Sequence, residues 1–178
     1  SFKTTESEIH FKASSIETLD EYLEKNNYRL EYDTVLKILF TFANTILYLE
    51  RNNKCLLLND LQDLIVINNS EFIFVNDENI FNLEENKTDV IVDIPIKINR
   101  FTSPELKQIT QIPSTIDYRS SYYSLASFLC YCLFAETLVD KTEEQKTALL
   151  DPIYNTKLYW FIKRCSEKVP EERLCIFI

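Results

Sequence analysis

The spacing of apolar and polar residues predicts several short strands. Apolar residues alternate with polar ones in EIHFKAS, residues 8–14, which predicts a strand. Two apolar runs, DLIVI at 63–67 and EFIFV at 71–75, are separated by Asn68, Asn69 and Ser70 and predict a β-hairpin. The apolar stretch VIVDIPIKI, residues 90–98, predicts further strand-like structure.

Helical spacing accounts for most of the remaining chain. SSIETLDEYLEK, residues 14–25, predicts a helix capped by Ser14 or Ser15. Residues 33–52 predict the longest helix, opened by Asp33 and apolar on most sides, as expected of a buried central helix. The segment at 120–136 is apolar nearly all round and predicts a helix inside a bundle. Shorter helices are predicted at 103–109, 142–150 and 156–168.

These elements predict one domain over residues 1–178, mainly α, with a small β-hairpin on its surface. The 178-residue length is sufficient for a proper core. Residues 78–102 are expected to be irregular.

Composition excludes several kinds of enzyme site. The chain has no glycine, which excludes a P-loop, a Rossmann fingerprint and a kinase-type glycine-rich loop, and asparagine is expected at turns in its place. The single histidine, His10, leaves Ser/His/Asp and Cys/His hydrolase schemes without another base. The five cysteines form no CxxC pair near a histidine, so we expect reduced thiols, no metal and no cofactor.

The net charge of −9 argues against nucleic acid and anionic membrane as partners. It suits a basic protein segment, although an acidic solvated surface alone would give the same charge. Apolar runs are too short for a membrane span, and we expect a cytoplasmic protein.

In order and spacing, these segments resemble the C-terminal lobe of a protein kinase. LNDLQDLIVI, residues 58–67, has the length of the kinase H-R-D-L-K-P-E-N-I-L run, and FIFVNDEN lies where a strand ending in D-F-G would be. TSPELKQI resembles the A-P-E end of the activation segment, which makes residues 78–102 its diverged part. SSYYSLASFLCYCLF resembles the S-D-x-W-S-x-G helix, and FIKRCSEKVPEER the last conserved stretch.

The resemblance implies that the catalytic residues are lost. Asp60 falls at the position of the catalytic base, but Leu58 and Asn59 replace the histidine and arginine that organise the loop. Gln62 replaces a lysine that steadies phosphate, and Ile65 replaces a Mg²⁺-binding asparagine. We therefore expect no enzymatic activity.

The metal-binding half of the site is also degraded. Asp77 falls at the aspartate of D-F-G, but Glu78 and Asn79 follow it, so we expect a relic position and no metal. Ser121 replaces the buried aspartate that pins the catalytic loop, with Asp117 close enough to stand in if the helix begins earlier.

What the resemblance retains is structural. Glu105 matches the glutamate of A-P-E and Arg173 the arginine near the chain's end, which form a buried ion pair in kinases. Retaining both fits a scaffold that must stay folded, since breaking one partner of such a pair is costly.

The few residues before the first strand cannot supply a kinase N-lobe, so the expected fold is a C-lobe without one. In extent the chain resembles KIND domains, non-catalytic kinase C-lobes of Spire-type actin nucleators and some phosphatases. That resemblance implies an interaction module that docks a basic segment of another protein, with a cytoskeletal partner by analogy. The candidate partner-binding residues, each of which could equally be an ordinary solvated charge, are Glu78, Glu84, Glu85, Asp89, Glu143 and Glu144.

An alternative is a C-lobe fragment of a two-lobed kinase or pseudokinase whose N-lobe is missing or supplied by another chain. It predicts an exposed apolar patch lined by residues such as Ile9, Phe11, Ile65 and Phe72.

Overall fold

The computed structural model describes residues 2–4, 9–57 and 60–177, and only the backbone of residues 2–4 and 9–11. Its α-helices are α1 (Leu19–Lys25), α2 (Tyr32–Arg51), α3 (Pro104–Lys107), α4 (Ser120–Phe134), α5 (Glu143–Leu150) and α6 (Lys157–Cys165). Its strands are β1 (Phe2–Thr4), β2 (Ile9–Phe11), β3 (Ile16–Thr18), β4 (Lys54–Leu56), β5 (Leu64–Ile67), β6 (Glu71–Phe74), β7 (Ile80–Asn82), β8 (Asp89–Val92) and β9 (Ser114–Asp117).

The prediction of a mainly α fold is wrong. The described residues form nine strands in four small sheets beside the helices, which makes the architecture mixed α/β. The strand-like stretch predicted at 90–98 is a strand only in β8, which pairs with the unpredicted β9; β7, inside the segment expected to be irregular, pairs with the unpredicted β4. Each is only three or four residues long, too short for a clear alternation of apolar and polar positions.

The predicted hairpin is confirmed as β5 and β6, and β3 joins it to make the largest sheet, in the order β3-β5-β6. Asn68 and Asn69 at the turn have φ of 51° and 56°, the left-handed region that asparagine tolerates better than most residues. Asn68 also accepts hydrogen bonds from Ser14, which ties the preceding segment to the turn. Asparagine thus takes a position that glycine would otherwise fill.

The first helix begins later than predicted. Ile16–Thr18 pair with Ile65–Ile67 as strand β3, and the ladder delays the helix until Leu19. Thr18 is the N-cap in place of Ser14 or Ser15, and it forms a reciprocal capping box with Glu21.

Helix α4 lies at the centre of the core, as predicted for a helix that is apolar all round, and its residues from Ser120 to Leu133 are buried. Phe128 on α4 packs against Phe42 of α2 and against Phe101, with ring centroids 5.1 Å and 5.0 Å apart. Helix α2 is less buried than predicted, because Phe40 and Tyr48 on its outer face are exposed.

Candidate functional site

The loop that holds Asp60 is closed by the chain's own hydrogen bonds. Asp60 caps a single 3₁₀ turn at Leu61–Asp63, where its Oδ1 accepts from the Leu61 N–H at 2.6 Å. Its Oδ2 accepts from the side-chain amide of Asn99 at 3.1 Å. Both oxygens of the predicted base position are therefore engaged in holding the loop.

A second carboxylate, Asp63, is buried in the same loop. Its Oδ2 accepts from the backbone N–H of Asp60 at 2.6 Å, and its Oδ1 accepts from the side chain of Asn76 at 2.7 Å. Burial raises the pKa of Asp63, partly offset by the hydrogen bonds from Asn76 and Asp60. All four carboxylate oxygens of Asp60 and Asp63 thus accept from neutral donors within the chain.

Asp77 is not among the hydrogen-bond partners of Asp60 and Asp63 in the described residues. Its side chain is exposed, and the preceding residue, Asn76, turns inward to Asp63. Asn76 donates this hydrogen bond through an uncharged amide, so it stabilises the loop without adding a charge. Across the parts of the chain that are described, no cluster of three or more His, Cys, Asp or Glu side chains could hold a metal ion.

The other predicted loop positions add no positive charge. Gln62, at the position of a lysine, donates through Nε2 to Asp20 on α1 at 3.2 Å. Ile65 is a strand residue paired with Ile73. Leu58 and Asn59 lie outside the described residues.

Asp117 does not replace the pinning aspartate. Helix α4 begins at Ser120, after Asp117, whose two oxygens accept from Arg119 at 2.9 Å and 2.6 Å. Ser121 is buried, and its Oγ has no hydrogen-bond partner among the described residues. The bond from Asn99 holds the loop at Asp60 instead.

Glu105 and Arg173 meet as an ion pair in the described structure. Arg173, just after a 3₁₀ turn at Pro170–Glu172, has a side chain that is only 1% exposed and donates through Nη1 to Glu105 Oε1. Its Nε donates to the Glu167 carbonyl at 2.8 Å, and its guanidinium lies 5.1 Å from the centre of the Tyr123 ring. The pair therefore joins α3 to the segment that follows α6.

The acidic candidates before β8 differ from one another. Glu78, Glu84 and Glu85 have exposed side chains. Asp89 is only half-exposed, and its oxygens accept from the side chains of Asn86 at 2.7 Å and Thr88 at 3.4 Å. Asp89 therefore shapes the turn before β8, whereas the three glutamates project into solvent.

Glu143 and Glu144 lie in the first turn of α5. Glu143 pairs with Lys146 at 2.7 Å, and the pKa of Glu144 is lowered by its own backbone N–H and by Thr142. Both line an open depression of about 580 Å³ together with Asp151, which the sequence analysis did not single out. We call Glu143, Glu144 and Asp151 the acidic α5 face. No hydrogen bond or ion pair between described residues joins this face to Glu78, Glu84 or Glu85.

The outer face of the β3-β5-β6 sheet is largely aliphatic, with Thr18 and the exposed Glu71 on the same face and Val75 just after β6. Ile16 and Val75 are 55% and 52% exposed, and Ile65 and Ile73 lie half-buried between them. Phe72, predicted for this patch, points the other way, because the register sets it opposite Val66 on the core side. The side chains of Ile9 and Phe11, also predicted here, lie outside the described residues.

Sequence reasoning missed Asp63, Asn76 and Asn99, the residues that close the loop. The two aspartates in NDLQD were a signal for the role of Asp63. A capping aspartate, Asp60, followed three residues later by a second carboxylate is a capping-box pattern.

Compared with known protein families and with curated proteins, the chain shows no match to either. The kinase resemblance therefore stays a prediction from the sequence. No helix in the described ranges combines the length and the apolar character needed to cross a membrane.

Proposed function

We propose that this chain is a non-catalytic, pseudokinase-like and KIND-like scaffold that binds a basic segment of another protein through the acidic α5 face. The observation that carries the proposal is the open depression lined by Glu143, Glu144 and Asp151, of which Glu143 is paired with Lys146 while Glu144 and Asp151 enter no ion pair between described residues. A row of lysine or arginine side chains fits such a surface by charge complementarity. By the KIND analogy the partner is cytoskeletal, and the setting is cytoplasmic.

The absence of catalysis is supported by the loop around Asp60. Phosphoryl transfer depends on charges that position and neutralise the moving phosphate. Here Asp60 and Asp63 are bound by neutral donors, and Gln62 is bound to Asp20. Each oxygen of Asp60 and Asp63 accepts a hydrogen bond, and no salt bridge among the described residues involves either carboxylate, so the loop supplies no positive charge for a phosphate.

The test is binding of a fluorescently labelled oligo-arginine peptide, followed by anisotropy at low and high salt. We expect Glu144→Lys/Asp151→Lys to weaken binding roughly tenfold, which corresponds to about 1.4 kcal/mol, and added salt to weaken binding to the wild type. Glu143 is left intact so that its pair with Lys146 is undisturbed.

The matched control is Glu84→Lys/Glu85→Lys, which makes the same change in net charge at another exposed site. Equal weakening by both double variants would show that only net charge matters and would contradict a defined α5 site. A larger loss in the control would move the binding site to residues 78–89.

A second candidate function is the C-lobe of a two-lobed assembly, and the largely aliphatic outer face of the β3-β5-β6 sheet favours it. Ile16 and Val75 would be covered by another lobe of the same or another chain. The test is Ile16→Lys/Val75→Lys, assayed by capture of a separately expressed candidate N-lobe. Loss of capture supports this function, whereas unchanged capture contradicts it.

A further inference from the structure

Two cysteines meet where the chain returns to the end of α6. Cys165 is the last residue of the helix, and its thiol donates to the Leu174 carbonyl at 3.3 Å. The N–H of Leu174 in turn donates to the Arg164 carbonyl at 3.3 Å. The next residue, Cys175, packs against the main core that contains Cys165, and it directly follows the carbonyl to which the Cys165 thiol donates.

Both thiols are reduced in this structure, and they differ in accessibility. Cys165 is fully buried, whereas Cys175 is half-buried. Burial raises the pKa of Cys165, and the neighbouring Cys175 raises it further. Because Cys175 is the more accessible thiol, a soluble oxidant reaches it first. The raised pKa keeps Cys165 mostly as the thiol, so its reaction is the second and slower step.

We propose that Cys165 and Cys175 form a reversible disulfide, driven by a hydroperoxide, that locks residues 166–174 against α6. In the first step the Cys175 sulfur attacks a peroxide oxygen, which gives a sulfenic acid at Cys175 and, with hydrogen peroxide, one water. In the second step the Cys165 sulfur attacks the sulfenic sulfur, forming the S–S bond and releasing a second water. Overall two thiols and one hydrogen peroxide give one disulfide and two waters.

The surrounding structure allows the two sulfurs to approach. Cys165 is fixed at the end of a helix, whereas Cys175 lies outside any helix or strand, so the Cys175 side can shift to bond length. Past Cys175, Phe177 packs on Phe40 of α2 and Phe161 of α6, with ring centroids 5.2 Å and 6.3 Å apart. These contacts keep the segment on the helix surface before any bond forms.

The disulfide would act on the buried ion pair. Arg173 lies inside the loop that the bond closes, and its Nε donates to Glu167 in the same loop. Closing the loop restricts the unfolded chain and keeps Arg173 beside Glu105. This inference does not depend on the acidic α5 face, so either proposal can fail alone.

The test treats the full chain with hydrogen peroxide, then removes the oxidant and measures free thiols, peptide masses and Tm. We expect two of the five thiols to be lost and a tryptic cross-link between residues 165–168 and 174–178. The Tm should rise by roughly 5 to 10 °C and return to its starting value after dithiothreitol.

The variant Cys175→Ser should fold, because residue 175 is half-buried, and should show neither the cross-link nor the rise in Tm. The matched control is Cys55→Ala, which removes a thiol from a different core cluster and should still lose two thiols on oxidation. Sulfinic acid at Cys175 with Cys165 still free, or a cross-link between chains, would overturn the proposal. An intramolecular disulfide that forms without a rise in Tm would contradict the proposal that the bond locks residues 166–174 against α6.

Discussion

Two regions of this molecule hold carboxylates away from bulk solvent, and the groups that bind these carboxylates differ between the two regions. At the loop, Asp60 and Asp63 accept hydrogen bonds from backbone N–H groups and from the amides of Asn76 and Asn99. At the other region, Glu105 meets the buried guanidinium of Arg173. The loop carboxylates therefore accept hydrogen bonds from neutral groups and are bound to no fixed positive charge. The ion pair, in contrast, joins two opposite charges from segments that are distant in the sequence.

The difference indicates which polar groups the fold depends on. A buried guanidinium without a counter-charge is costly, so the contact between Glu105 and Arg173 should dominate stability. Removing a loop carboxylate should destabilise the fold less, because the change removes hydrogen bonds and not a charge pair. The four predictions below follow that order.

The largest effect is expected from Glu105→Ala, which leaves the Arg173 guanidinium buried and unpaired. We expect the free energy of unfolding to fall by about 3 kcal/mol, measured by urea denaturation. The control Glu84→Ala removes an exposed carboxylate and should change the free energy of unfolding by less than about 0.5 kcal/mol. A loss below about 1 kcal/mol in Glu105→Ala would mean that the ion pair does not hold the fold.

The next effect is expected from Asp63→Ala. This change removes the acceptor for the Asp60 N–H and for the Asn76 side chain, and should cost about 2 kcal/mol. The same denaturation experiment measures it. If the cost equals or exceeds that of Glu105→Ala, the proposed ranking of the two regions is reversed.

A pH effect should distinguish Asp63 from Asp63→Asn. Burial raises the pKa of Asp63 above the ordinary aspartate value of 3.8, so the folded state binds this proton more tightly than the unfolded state. The stability that Asp63 contributes is therefore fully present below 3.8 and is lost as pH rises through the higher folded pKa. The stability of the wild type relative to Asp63→Asn should fall across that window, and a difference that rises or stays flat would contradict the burial.

The smallest effect is expected from Asp77→Ala. The Asp77 side chain is exposed and does not join the loop network, so the free energy of unfolding should change by less than about 0.5 kcal/mol. Thermal unfolding at neutral pH measures the change, with Asp63→Ala as the buried counterpart. A loss of 2 kcal/mol would show that Asp77 supports the loop after all.

The sequence predicted the elements whose pattern is complete within a short window. Helix α4 and the β5-β6 hairpin are of this kind, since their residues carry the full pattern. Strands that pair at long range, such as β4 with β7, could not be predicted because neither partner is long enough to show alternation. Their unexpected number is what turned a predicted mainly α fold into a mixed one.

The site was predictable only where the resemblance singled out particular residues. The resemblance pointed to Glu105 and Arg173, which the structure brings together, although 68 residues separate them along the chain. The partners of Asp60 and Asp63 could not be inferred, because Asn76 and Asn99 reach the loop only through the tertiary fold. Asp77 was singled out because the resemblance places it at the aspartate of D-F-G, while the side chain that turns inward belongs to Asn76.

We propose that this chain lacks the chemistry of phosphoryl transfer, and nucleotide binding tests this central proposal most directly. Isothermal titration with millimolar ATP, with and without Mg²⁺, should give no saturable heat for the wild type, and ATP should not raise its Tm. Saturable, Mg²⁺-dependent binding that is abolished by Asp77→Ala would contradict the account and assign Asp77 to a nucleotide site.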